Sequence, residues 1–340
     1  MFVNRCIRLA FKRSFSALTV QNPAEVVLSP PRGHNSLLMI STASQLETSI
    51  DSLIKLNRSV PSLQLVYFCV DSILNSRNAV SECWFEEDML IQTCKQFKPS
   101  KDKSTPQSGT VELKLNGFDV VLPLAHTMFQ NTLPATCFFV DGDNPHNWKS
   151  LSLLKVQLPF IKSSHFKYSN CLVELPMEKN PAQEYIITEH EGNMIKTINM
   201  LPASQYLIEN EHVQKSKSAL FFKLYDGAQV PDYMESYHRI TVGGLGWGEK
   251  QGYLVLDRNV GSLDHKKLKL YQHRPETAVH FDRNKKSVVL ECSTEQQSYR
   301  PTDSNSPIVS NQIGLGSETG FKLNGVWHTS QGEVVQIVVT

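Results

Sequence analysis

No stretch of this sequence is apolar enough to cross a membrane as a helix. The longest apolar runs, such as Leu63 to Val70 and Thr136 to Val140, fall far short of the roughly 18 residues a spanning helix requires. The mature chain is therefore expected to be soluble, with no membrane span. A surplus of one charge sign is missing too, since Lys plus Arg number 34 and Asp plus Glu 33, for a formal net charge of +1. Phosphate binding draws on a basic excess, so nucleic acid is not indicated as a partner. None of the seven cysteines forms a CxxC pair, which excludes the usual zinc frameworks, and no metal site is assigned. Cys69 and Cys137 sit inside the apolar runs VYFCV and TCFFV and read as small core residues. No neighbouring His or helix start is identifiable that would activate a thiol.

Acidic residues are absent before Glu25, whereas Met1 to Val20 carries Arg5, Arg8, Lys12 and Arg13 with Ser14 and Ser16 near its end. That is the pattern of a mitochondrial transit peptide. Phe2, Ile7, Leu9, Phe11 and Phe15 can share one side of a helix, as a peptide drawn to an anionic membrane surface needs. Arg13-Ser14-Phe15-Ser16 resembles the Arg-X-Phe-Ser pattern of matrix-processed precursors, which implies cleavage near Ser16 or Ala17. The expected organisation is a transit peptide over 1–16, a leader over 17–35, an α/β region over 36–200 and a strand-rich region over 201–340. Pro23, Pro30, Pro31 and Gly33 make the leader a poor helix or central strand.

The length allows about two domains of ordinary size or one large one. Leu37 to Ile40, a capping-box pattern at Ser44 and Glu47, a helical stripe of Leu46, Ile50, Leu53 and Ile54, and the run Leu63 to Val70 read as strand, helix, strand. A right-handed crossover makes those strands parallel. Asp71 to Phe97 reads as partly helical through Trp84, Phe85, Met89, Leu90 and Cys94. Asn116-Gly117 predicts a hairpin with a type I′ turn, His190 to Asn193 a second, and Asn324-Gly325 a closing one. The last strand spans Val334 to Val339. The fold class expected from this pattern is α+β, with mixed sheets, helices on their faces and a strand-rich second half.

Two places carry candidate site residues. Thr136 to Val140 runs into Asp141-Gly142-Asp143-Asn144-Pro145-His146, and a loop at a strand end is where α/β proteins place ligands. Asp141, Asp143 and His146 could bind a cation or an amine there, although the same residue types also make an ordinary turn. The second place is the loop holding Gly243, Gly244, Gly246, Trp247, Gly248, Lys250 and Gly252. It lacks GxGxxG and the P-loop spacing, and YLVLD after it reads as a strand, so both nucleotide motifs fail. Two readings stay open: a nest of amides for an anionic ligand, covered by Trp247 with Lys250 adding charge, or a tight turn around a core tryptophan.

The string ITVGGLGWGEKQGYLVLD, Thr241 to Asp257 above all, resembles a glycine-rich segment of fungal mitochondrial proteins of the FIST-domain type. The resemblance implies a small-ligand sensory module and supplies no catalytic residues. The leading expectation is a non-enzymatic mitochondrial matrix protein that binds a small molecule or a mitochondrial protein, with no cofactor assigned. Two alternatives are carried. One is a hydrolase or transferase using the Asp141 to His146 turn with the glycine loop. The other is an assembly or expression factor for respiratory function that acts through protein contacts.

Overall fold

The computed structural model describes residues 15–96, 109–125, 137–140, 149–160, 162–176, 184–214, 218–225, 235–243, 252–258, 260–274, 285–293 and 308–340. The chain opens with β1 (Phe15–Gln21) and β2 (Ser36–Thr42), and helix α1 (Leu46–Ser59) carries it to β3 (Gln64–Val70). Then come β4 (Ala79–Phe85), β5 (Leu90–Gln96), β6 (Thr110–Leu115), β7 (Phe118–Pro123), β8 (Cys137–Val140) and β9 (Lys149–Gln157). The middle holds β10 (Ser163–Ser169), β11 (Leu172–Leu175), β12 (Tyr185–Glu191), β13 (Met194–Ile198) and β14 (Leu201–Pro202). Two one-turn helices follow, α2 (Gln205–Ile208) and α3 (Glu211–Gln214), before β15 (Leu220–Tyr225), β16 (Tyr237–Gly243), β17 (Leu254–Leu256) and β18 (Lys267–His273). The chain closes with β19 (Ser287–Cys292), β20 (Ile308–Ser310), β21 (Gln312–Ser317), β22 (Phe321–Leu323), β23 (Val326–His328) and β24 (Val334–Val339).

This is a strand-dominated fold, which corrects the α+β expectation of helices on the sheet faces. Among the described residues α1 is the one long helix. The misreading is concentrated in Asp71 to Phe97, where β4 and β5 stand in place of helix. Strand β4 lies between β1 and β2 and is covered on both faces, so nearly all of its residues are buried. Burial on both faces removes the period of two, and Trp84 and Phe85 with Met89 and Leu90 then pass for a helix stripe.

Three sheets organise the molecule. Twelve strands make the largest, in the order β20-β1-β4-β2-β3-β8-β9-β6-β7-β22-β23 with β5 added on β9. The β2–β3 pair is parallel in full register, as the crossover through α1 requires. Side chains in this pair alternate between two cores. Leu37, Met39, Leu65 and Tyr67 meet Leu46, Leu53 and Leu56 of α1, while Leu38, Ile40, Val66 and Phe68 meet the four-stranded sheet β10-β24-β19-β21. Ser44 does not close a capping box; its hydroxyl donates to the Arg77 carbonyl at 2.8 Å and a 3-10 turn, Ala43–Gln45, leads into α1. Strand β24 pairs with β10 and β19 and so lies inside its sheet.

Strand β1 belongs to the large sheet, with Phe15 paired to Phe85 and Gln21 to Ala79. Phe15 is 6 % exposed and its ring lies 4.8 Å from that of Phe160 and 6.1 Å from that of Phe85. The strand thus takes up Phe15 and Ser16 from the expected transit peptide and Ala17 to Gln21 from the expected leader.

The third sheet closes on itself. Strands β18, β12, β13, β17, β16 and β15 follow one another, and β15 pairs back to β18. Ile187, Ile195, Ile198, Phe222, Leu254, Leu256, Leu268 and Leu270 form its buried core, joined by Tyr206 and Leu207 of α2. A six-stranded ring is small enough for side chains to fill, so it is a packed core with no channel.

Candidate functional site

The glycine-rich loop is mounted on this ring. Gly243 ends β16 opposite Leu254 of β17, and Gly252 leads into β17 with φ +101. A left-handed backbone at Gly252 suits glycine alone at low cost, and a Cβ there would lie 3.5 Å from Cβ of Pro202. The Ser204 N–H donates to the Gly252 carbonyl at 2.9 Å, which ties the loop's exit to the turn before α2. Met200 and Leu201, beside Pro202, are 80 % and 47 % exposed. Gly244, Gly246, Trp247, Gly248 and Lys250 lie outside the described residues.

Asp141, Asp143 and His146 also lie outside them, but their anchor is described. Strand β8 runs antiparallel to β3, with Val140 opposite Leu65 and Cys137 opposite Phe68. The turn after Val140 therefore leaves from the amino end of the β2–β3 parallel pair. Ligands of open α/β sheets bind outside the carboxyl ends. The two candidate places are anchored on different sheets.

The carboxyl ends carry another cluster, which the sequence pattern does not single out. Parallel strands β19 and β21 end at Cys292 and Ser317, and the chain leaving β3 crosses them there. Ser72 Oγ donates to Glu291 Oε1 at 2.5 Å and lies 2.6 Å from Ser293 Oγ. The Asn75 N–H reaches both carboxylate oxygens, at 3.0 and 3.1 Å. Leu74 and Asn75 hold φ +48 and +66 to make this reach. Gly316 is obligatory, because a Cβ would sit 2.0 Å from Ser72 Oγ. Glu291 is 1 % exposed, and burial lifts its carboxyl to about 6 against the opposing hydrogen bonds of Ser72 and Asn75.

A second buried centre lies in the turn before β24. His328 Nδ1 and Glu333 Oε1 are 2.7 Å apart, Tyr168 donates its hydroxyl hydrogen to the same oxygen at 2.8 Å, and the Ser330 N–H donates to Oε2 at 3.1 Å. Phe321 stacks on the imidazole with centroids 4.9 Å apart. His328 Nε2 and Ser330 Oγ are buried and without a partner among the described residues. The pair has the carboxylate and imidazole of a nucleophilic triad. His328 and Glu333 are each 1 % exposed, so the arrangement as it stands locks the turn and does not meet solvent.

Burial raises the thiols of Cys69, Cys83 and Cys292, which keeps them protonated and inert, in line with the reading of Cys69 as a core residue. A groove of about 570 Å³ runs between the segment Glu25 to Pro30 and α1, lined by Glu47, Asp51 and Lys55 among others. None of its lining residues belongs to the ring that anchors the two ends of the glycine loop. Among the described residues no group of three His, Cys, Asp or Glu side chains could hold a metal ion. No helix is long and apolar enough to cross a membrane, again among the described residues. The signal for Glu291 was a lone carboxylate inside the strand run Ser287 to Cys292, and a charge buried that deeply needs partners. No family model, curated protein or solved structure matches the chain.

Proposed function

We propose that the chain is a mitochondrial, matrix-facing binding protein, not an enzyme, that takes a small ligand or a protein partner on the glycine-rich loop between β16 and β17. The observation that carries this reading is the anchoring of that loop. Gly243 and Gly252 are pinned at one end of a filled ring, so a loop too rich in glycine for ordinary packing is presented by a rigid support. Met200 and Leu201, exposed next to Pro202 at the loop's exit, offer apolar surface to a bound molecule. The likeness of Thr241 to Asp257 to FIST-type proteins favours a small ligand, and the acid-free basic start favours mitochondria. The hydrolase or transferase alternative is disfavoured by the place where β8 delivers the Asp141 turn.

A thermal-shift screen of the full chain against carboxylates, amino acids, nucleotides and divalent ions tests the reading, with Trp247→Ala beside it. Ligand binding raises the melting point by mass action. The expected result is a shift in the wild type that the variant loses. A shift of equal size in both would place the ligand elsewhere and overturn the loop as the site.

A further inference from the structure

The groove of about 570 Å³ on α1 is built from two pieces that run side by side. Gln45 Nε2 donates to the Pro23 carbonyl at 3.3 Å, and Ser52 Oγ donates to the Val26 carbonyl at 2.6 Å. The segment Glu25 to Pro30 therefore follows the helix in the same direction, as a strap alongside it. Val26 and Leu28 of the strap pack on the same core as Leu56 of α1, which gives the groove an apolar floor. Apart from the Val26 carbonyl, the strap's main chain from Glu25 to Pro30 has no hydrogen-bond partner among the described residues.

Charge is unevenly spread along this groove. Glu47, Asp51 and Lys55 follow one another at four-residue spacing on α1, so they form one stripe on its rim. Pro23 lies at Gln45 and Val26 at Ser52, which puts Glu25 alongside Glu47 and Asp51. Three exposed carboxylates thus gather at one end, and Lys55 stands alone towards the other. Among the described residues none of the three carboxylates has an ion pair or a hydrogen bond. An acid in the first turn steadies a helix through its dipole, which accounts for Glu47. It does not account for Asp51, a like charge one turn further on, or for Glu25 brought up by the strap.

We propose that this groove docks a basic segment of a partner protein. Its Lys or Arg stems lie on Val26, Leu28 and Leu56, and their charged heads sit among Glu25, Glu47 and Asp51. The strap's unused main-chain groups are open to pairing with an extended chain beside it. Lys55 repels a basic residue at the far end, so the segment that fits carries its charges at one end and apolar residues at the other. This goes beyond the glycine-loop reading and does not depend on it, and groove and loop take different molecules.

Fluorescence anisotropy of the full chain with a labelled peptide, Lys-Arg-Lys-Leu-Val-Leu, tests the proposal beside the acidic peptide Glu-Asp-Glu-Leu-Val-Leu and unlabelled spermine. The basic peptide is expected to bind saturably and to weaken as salt is raised, and the acidic one not to bind. Spermine, which has charge but no apolar side chains, should compete at least about tenfold more weakly. Glu47→Gln together with Asp51→Asn should weaken the basic peptide about threefold to tenfold, the worth of two exposed ion pairs. Lys55→Glu should tighten it about threefold by the same reasoning. All three side chains are exposed, so these variants should fold. Glu209→Gln, which removes an exposed carboxylate outside the groove, should change nothing. No saturable binding, equal binding of the acidic peptide, affinity unmoved by the Glu47 and Asp51 variants, or spermine as tight as the peptide would overturn it. Trp247→Ala should leave peptide binding intact, which separates this groove from the glycine loop.

Discussion

Replacing Glu291 by Gln should flatten a pH dependence that the wild-type fold carries between pH 4.5 and 6. The carboxyl has an ordinary value of 4.5 and is lifted by burial to about 6. Across that interval the folded chain holds a proton the unfolded chain has released. Stability from this group is therefore full below 4.5 and is lost as pH rises through 6. One pKa unit corresponds to about 1.4 kcal/mol, so the loss is about 2 kcal/mol. The amide that Glu291→Gln introduces would be neutral throughout, and its carbonyl could still accept from the Ser72 hydroxyl and the Asn75 N–H. Its new N–H bonds could turn to the oxygens of Ser72 and Ser293, which lie in the same cluster. The assay is urea unfolding of both proteins at several pH values from 4.5 to 7.5, read as the difference between them. Other titrating groups cancel in that difference. It should move in favour of the variant by about 2 kcal/mol as pH rises, whatever its starting offset. A difference that stays constant with pH would refute the assignment of a buried, proton-holding carboxyl to this position.

Two further predictions concern packing. A chain beginning at Ala17 loses Phe15 from its place against Phe85 and Phe160, a core deletion of the kind that costs about 3–5 kcal/mol, and should unfold at clearly lower urea than one beginning at Ser14; equal midpoints would contradict the β1 pairing. Gly316→Ala should destabilise by about 1–3 kcal/mol or more, because the added methyl meets Ser72 Oγ at 2.0 Å. Adding Ser72→Ala should recover part of the loss, which urea midpoints of the single and double variants would show.

The legible parts of the fold were those set by short-range chemistry. The β2–α1–β3 unit shows in sequence because its helix stripe and flanking runs lie within about forty residues and obey a handedness rule. Asn324-Gly325 turns the β22–β23 hairpin with φ +47 and +90, the two left-handed positions a type I′ turn requires. Asn116-Gly117 also turns a hairpin, β6–β7, but only Gly117 has positive φ, so the predicted turn type is not the one formed. The illegible parts were long-range. Nothing local announces that Leu18 pairs with Ser310, or that β15 returns to β18 to close a ring. Position relative to other strands also decides what a loop can do, as Val140 opposite Leu65 shows. Glu291 went unread because its partners, Ser72 and Asn75, lie more than two hundred residues away.

Whether the glycine-rich loop is the surface that meets another molecule can be read by photocrosslinking from within it. Trp247→p-benzoylphenylalanine is irradiated in isolated mitochondria, with Val27→p-benzoylphenylalanine, an exposed position on the large sheet's side, as control. A binding loop should give a discrete adduct from position 247, identified by mass spectrometry, that the control does not form. The same adducts from both positions, or none from 247 while the protein is present and folded, would contradict a binding role for the loop.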